Sequence, residues 1–210
     1  MKLILVRHGE TEWVRQSRYQ GATDISLNRT GILQARAVGK IVKEEKPSVI
    51  FSSELLRARQ TAQEIAKQCR KELKIDHRLN ELSFGKWEGF YHAVIAKKFP
   101  KAARDWYSAK WTSLPPGGES LKSLGKRINS FLSDLSKHYR KNETYVVVAH
   151  GGTIRMFLVQ LLKFEPTVFW KFRIDPASLS VLNLTFLRQE LALLNCQFHL
   201  NHLPKRRKKS

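Results

Sequence analysis

Leu3-Ile4-Leu5-Val6-Arg7-His8-Gly9-Glu10-Thr11 is the stretch that decides the fold. Its first four residues are continuously apolar, the pattern of a short strand buried on both faces of a parallel sheet. The strand ends at an arginine, a histidine and a glycine. Arginine binds anions through a planar fork, glycine lets a backbone come close, and a neutral imidazole can attack phosphorus.

Two further segments share the strand pattern, Val49 to Phe51 and Tyr145 to Val148. Ser180 to Phe186 and the region near Leu191 to Leu194 add strands at the end of the fold. Helical patterns lie between them. Thr30 reads as an N-cap, with Leu33, Ala37, Ile41 and Val42 on one face of the helix that follows. A second helix is expected from about Leu56 to Cys69, a third from near Ser120, and a fourth after Gly151-Gly152. Strands alternating with helices predict a three-layer α/β/α domain, doubly wound around a mostly parallel sheet. Residues of about 85 to 118 fit that alternation less well. They hold Trp87, Phe90, Tyr91, Phe99, Trp106, Tyr107 and Trp111, then Pro115-Pro116-Gly117-Gly118, and read as a small helical cap insertion. A chain of 210 residues is long enough for one such domain, over 1–204, with a basic tail at 205–210 expected to be disordered.

In open α/β sheets ligands bind beyond the carboxyl ends of the strands. His8 and His150 each sit just past a predicted strand, so two histidines distant in sequence are expected to converge. Four constellations carry chemistry. In Arg7-His8-Gly9, nearby positive charge disfavours protonation and keeps the imidazole nucleophilic. In Ser52-Ser53-Glu54-Leu55-Leu56-Arg57, a strand opens into a helix whose first turn carries Arg57, placed for bidentate contact with phosphate. Asn80 to Gly89 offers Glu81 and Glu88 among aromatic and glycine residues. A carboxyl group beside a phosphate and apolar walls can donate a proton to a leaving oxygen, and position alone does not choose between the two. In Ala149-His150-Gly151-Gly152-Thr153, the glycines admit close ligand approach at a helix start. Each has a plainer reading as a turn, a surface arginine or a capping acid.

The net charge is +20, and five of the positive residues form the run Lys205 to Lys209. A solvated terminus is the favoured reading of that run. Contact of the tail with nucleic acid or another acidic partner is the less favoured one. Cys69 and Cys196 stand in no CxxC pair and no zinc-like cluster, so core thiols in a reducing compartment are expected. Leu3 to Val6 is too short for a signal-peptide core, and no apolar run approaches the ~20 residues of a membrane span. A soluble cytoplasmic protein without membrane insertion is the expectation.

In order, the motifs LVRHGETEW, QGATDISLNRTGILQA, SSELLRARQTA, LNELSFGKWEG, PPGGES and VVVAHGG make the chain resemble the histidine phosphatase, or phosphoglycerate-mutase-like, superfamily from Leu3 to about Leu194. The resemblance implies that His8 is the nucleophile, that Arg7, Arg57 and His150 surround the phosphoryl group, and that Glu81 is the proton donor. It implies that Thr11, Gln20 and Gly21 line the substrate entrance, with Gly151 beside them. It also implies no metal or other cofactor and a small phosphate monoester as substrate, and relatives include homodimers. Val14 departs from the family, which commonly has asparagine there.

The compact stretch from Gly89 to Pro115 favours a phosphatase over a cofactor-dependent phosphoglycerate mutase, whose insertion is longer. PPGGES resembles the α-ribazole and broad-specificity phosphatase branch, with a phosphoserine-phosphatase-like member as a further possibility. Aromatic side chains of the cap would suit a flat ligand such as α-ribazole 5'-phosphate, or form the cap's own core. From another class, a weakly catalytic module could bind acidic partners through its basic surface.

Overall fold

The computed structural model describes residues 1–138, 140, 142–185 and 187–203. In it the strands are β1 (Lys2–Arg7), β2 (Val49–Ser52), β3 (Leu73–Ile75), β4 (Thr144–Ala149), β5 (Leu179–Leu184) and β6 (Gln189–Cys196). The helices are α1 (Glu12–Arg15), α2 (Arg29–Glu44), α3 (Leu56–Cys69), α4 (His92–Lys98), α5 (Pro100–Tyr107), α6 (Leu121–His138) and α7 (Gly151–Leu161). The strands form one sheet in the order β3-β2-β4-β1-β5-β6. The first four are parallel, while β5 runs antiparallel to β1 and β6 antiparallel to β5. Phe186 and the run Lys205 to Lys209 lie outside the described residues.

Alternation along the strands divides the apolar core into two layers. Ile4, Val6, Ile50, Val146 and Val148 face α2 and α3. Leu3, Leu5, Phe51, Tyr145, Val147 and Ala149 face the α6 and α7 side. Full burial of each valine, leucine, isoleucine or phenylalanine among them stabilises the fold by about 1.5–3 kcal/mol. The cap shares this second layer. Trp87 and Trp106 have no exposed surface and pack with Ile95, Leu121, Phe157 and Phe169.

Some local expectations are corrected. The N-cap of α2 is Asn28, not Thr30: its side chain accepts the Gly31 N–H at 2.9 Å. The buried face of α2 is Gly31, Ala35, Val38, Gly39 and Val42, while Leu33 and Ile41 are exposed. The small residues win because α3 lies so close that a Cβ on Gly39 would meet the Gln68 side chain at 2.3 Å. β3 was not expected; three residues with a central lysine give too weak a pattern. Cys69 and Cys196 are free and only half-buried. No helix of the described residues is long and apolar enough to cross a membrane.

Candidate active site

β1 and β4 pair in parallel with Arg7 opposite Ala149, so the residues that follow them meet at the carboxyl edge of the sheet. The rings of His8 and His150 lie 5.1 Å apart, and both are fully buried. His8 Nδ1 is 2.7 Å from the Gly9 carbonyl oxygen. A carbonyl only accepts, so Nδ1 carries the hydrogen and Nε2 keeps its lone pair. Burial, then Arg57 and Arg7, push the His8 pKa well below its ordinary value, against the bond to Gly9. The imidazole is therefore neutral. The loop behind it has no slack: a Cβ on Gly9 would stand 2.5 Å from the Gly31 carbonyl oxygen.

Arg57 enters from the first turn of α3 and is fully buried. Its Nη1 and Nη2 donate to the Thr23 and Gly21 carbonyls at 2.9 and 2.7 Å. Arg7 Nη1 donates to the Ile174 carbonyl at 2.7 Å. Burial brings both guanidinium groups down to about 10, so both remain charged at neutral pH. Carbonyls hold these two forks by their ends, and Arg7 Nε, Arg57 Nε and His150 Nδ1 are among the buried atoms without a hydrogen-bond partner, as is Arg18 Nε in the same wall.

The two acids separate by geometry. Glu81 lines the cavity and accepts the N–H groups of Gly152 and Thr153, at 3.0 and 3.2 Å, in the first turn of α7. Glu88 is spent on structure, accepting the N–H groups of Ala22, Thr23 and Phe84 at 2.9–3.0 Å. It sits where a Cβ on Gly21 would be, and Gly21 turns there with φ of +56°.

The cavity holds about 360 Å³ and includes Arg7, His8, Gln20, Gly21, Arg57 and Gly151 in its wall. His150 lies behind this wall with no exposed surface. Thr11 also lies outside it: the hydroxyl is buried and donates to Gln20 Oε1 at 2.7 Å, so Thr11 orients a lining residue instead of lining the entrance. Val14 is in the wall. Of the cap aromatics only Tyr107 reaches the cavity, since Trp87 and Trp106 are sealed in the core.

Sequence reasoning missed Arg155, Tyr19, His92 and Trp170 in the same wall. Arg155 stacks over Trp170 at 5.3 Å, donates Nε to the Phe172 carbonyl and is depressed in pKa by burial. A Cβ on Gly151 would meet Arg155 Nη1 at 3.4 Å and Arg7 Cζ at 3.8 Å, so the two guanidinium groups flank that glycine. The signal was present, because Arg155 is the sole charged residue of α7. Among the described residues no group of three or more His, Cys, Asp and Glu side chains is arranged to hold a metal ion.

A family profile described as "Histidine phosphatase superfamily (branch 1)" matches residues 3–197. The chain belongs to this superfamily. The histidine phosphatase is 36% identical over 200 residues to phosphoserine phosphatase 1 of Hydrogenobacter thermophilus, covering 95% of this chain and 94% of that one. It is 27% identical to the adenosylcobalamin/α-ribazole phosphatase of Escherichia coli, over 93% and 96% of the two chains. Among solved structures, phosphoserine phosphatase of Entamoeba histolytica in complex with 3-phosphoglyceric acid superposes with a TM-score of 0.85 at 35% identity, over 95% and 98%. This histidine phosphatase is thus a hydrolase with phosphatase activity, built on a mostly parallel six-stranded sheet flanked by helices.

Proposed function

We propose that this protein is a metal-independent phosphomonoesterase that works through a phosphohistidine on His8 and takes esters of small hydroxy acids such as phosphoserine. One observation carries the reading. Arg7 Nε, Arg57 Nε and His150 Nδ1 are buried without partners around an imidazole that keeps its lone pair. An unpaired buried polar group costs about 1–3 kcal/mol. A phosphoryl group would accept from both arginine Nε–H groups and, once Nδ1 carries a hydrogen, from His150 as well.

In the first step His8 Nε2 attacks phosphorus, the P–N bond forms as the ester P–O bond breaks, and Glu81 protonates the departing alkoxide. In the second, Glu81 takes a proton from water, the water oxygen bonds to phosphorus, the P–N bond breaks and inorganic phosphate leaves. Arg7, Arg57 and His150 hold the non-bridging oxygens, and the two guanidinium groups do the electrostatic work without a metal. Gln20, Gly21 and Gly151 contact the substrate, and Thr11 fixes Gln20.

An acidic leaving group is favoured by Arg155, a half-buried cation in the wall whose Nε donates to the Phe172 carbonyl. Glu81 and Asp175 favour its charge from nearby, and a substrate carboxylate would add a direct partner. A flat α-ribazole ring has less support, because Trp87 and Trp106 are sealed in the core and leave Tyr107 as the cap's one aromatic in the wall.

The test is turnover of phosphoserine, α-ribazole 5'-phosphate, 3-phosphoglycerate and an aryl phosphate in chelator, for the wild type and His8→Ala. Phosphoserine is expected to be the best substrate and the variant inert. Undiminished activity of the variant would remove His8 as nucleophile, and loss of wild-type activity in chelator would reject the metal-free mechanism. Rapid 2-phosphoglycerate formation with a bisphosphoglycerate primer would favour the mutase.

A further inference from the structure

A chain of directed hydrogen bonds runs behind the cavity from Glu54 to His150. Asn80 Nδ2 donates to Glu54 Oε1 at 2.6 Å, and Asn80 Oδ1 accepts the Glu54 N–H at 3.1 Å. A carboxylate only accepts and an N–H only donates, so the amide can stand only one way round. Asn80 Oδ1 therefore accepts from the Ser53 hydroxyl at 2.8 Å. With its hydrogen spent there, Ser53 Oγ accepts from the Leu55 N–H at 3.1 Å and from His150 Nε2 at 2.8 Å. His150 Nε2 must then carry a hydrogen. In the neutral ring the buried, unpartnered Nδ1 is left with a bare lone pair.

A lone pair repels a phosphate oxygen. We propose that Ser53 and Asn80 lock His150 in its Nε2–H tautomer, so that an oxyanion enters the site only together with one proton, taken up at His150 Nδ1. The inference rests on the phosphate reading of the cavity. The charged groups facing His150 give the switch its sense. Arg7 and His8 approach from the end of β1, Arg57 from α3, Glu81 from the loop after β3, and Arg127 from α6. Burial and this positive surround keep the free imidazole neutral, its pKa well below the usual value. A bound dianion reverses the local field and favours the charged ring.

Ser53 and Asn80 are positioning residues here, and sulfate is the probe because it brings no proton of its own. Calorimetric titration of sulfate at pH 8, in buffers of different ionisation enthalpy, is expected to show uptake approaching one proton per sulfate. Affinity should fall about tenfold per pH unit above neutrality. ¹⁵N spectra of labelled histidine should move the His150 Nδ1 signal to the protonated position. In Ser53→Ala the neutral ring is free to adopt the Nδ1–H tautomer, so uptake should drop towards zero while Ser53→Thr retains it. Binding without proton uptake, or unchanged uptake in Ser53→Ala, overturns the lock and leaves the phosphate site standing. Absence of sulfate binding at every pH sinks the site and the lock together.

Discussion

Glu81 accepts the Gly152 N–H at 3.0 Å, which ties the loop after β3 to the first turn of α7. A Cβ on Gly152 would stand 2.6 Å from Glu81 Oε1. Gly152→Ala should therefore push the carboxylate aside while the helix itself tolerates alanine. The expected outcome is a fall in kcat of about 100-fold, the scale of an ångström's misplacement, with a melting temperature close to wild type. Steady-state kinetics and a thermal melt check both halves, and full activity would show that Glu81 needs no such seat.

Glu88 should matter through Arg57. Its carboxylate binds the Ala22 and Thr23 N–H groups, and the Gly21 and Thr23 carbonyls beside them hold the Arg57 fork. Glu88→Gln turns an N–H donor towards these donors. A loss of about 1–3 kcal/mol in urea unfolding is expected, together with a raised KM. An unchanged KM would separate this clamp from the site.

Acidification through the ordinary histidine range should destabilise the fold. The unfolded chain protonates its histidines near pH 6.5, whereas folded His8 and His150 stay neutral well below it, burial being the first cause. Their contribution is full above about pH 6.5 and is lost as pH falls below it, at about 2.7 kcal/mol per unit for the pair. His92 and His199, also depressed by burial, act in the same sense. Urea midpoints at pH 7.5, 6 and 5 should drop in that order; a flat series would mean that the two rings charge inside the fold.

Arg155→Met should discriminate between substrates. The methionine keeps contact with Trp170 and Phe169 and removes the charge. KM for phosphoserine should rise by about 10- to 100-fold, the value of one charge-assisted pair. KM for an aryl phosphate should change less than threefold, on the order of 0.6 kcal/mol. Equal effects on both substrates would place Arg155 with the phosphoryl group instead.

The sheet and its site edge were legible because β1, β2 and β4 are unbroken apolar runs and each ends at a residue with distinctive chemistry. α3 and α7 were legible too, from periodic alanines and from a pair of glycines. The buried face of α2 was not, since glycine and alanine carry little hydrophobic signal although they permit the closest packing. Strand direction leaves no mark in composition, so the antiparallel β5 and β6 could only be read as strands. Glu81 and Glu88 look alike in sequence. What separates them is which backbone N–H groups the fold brings to each, a contact across some 60 to 70 positions.

The sealed indoles of Trp87 and Trp106 bear on turnover. Swinging the cap away from the sheet would carry two large apolar rings out of the layer they share with Leu121, Phe157 and Phe169. That exposure would cost several times the ~1.5–3 kcal/mol of one apolar side chain. Substrate and product are therefore expected to trade places without a large swing of the cap. An enzyme built so is expected to turn over without waiting for a cover to move.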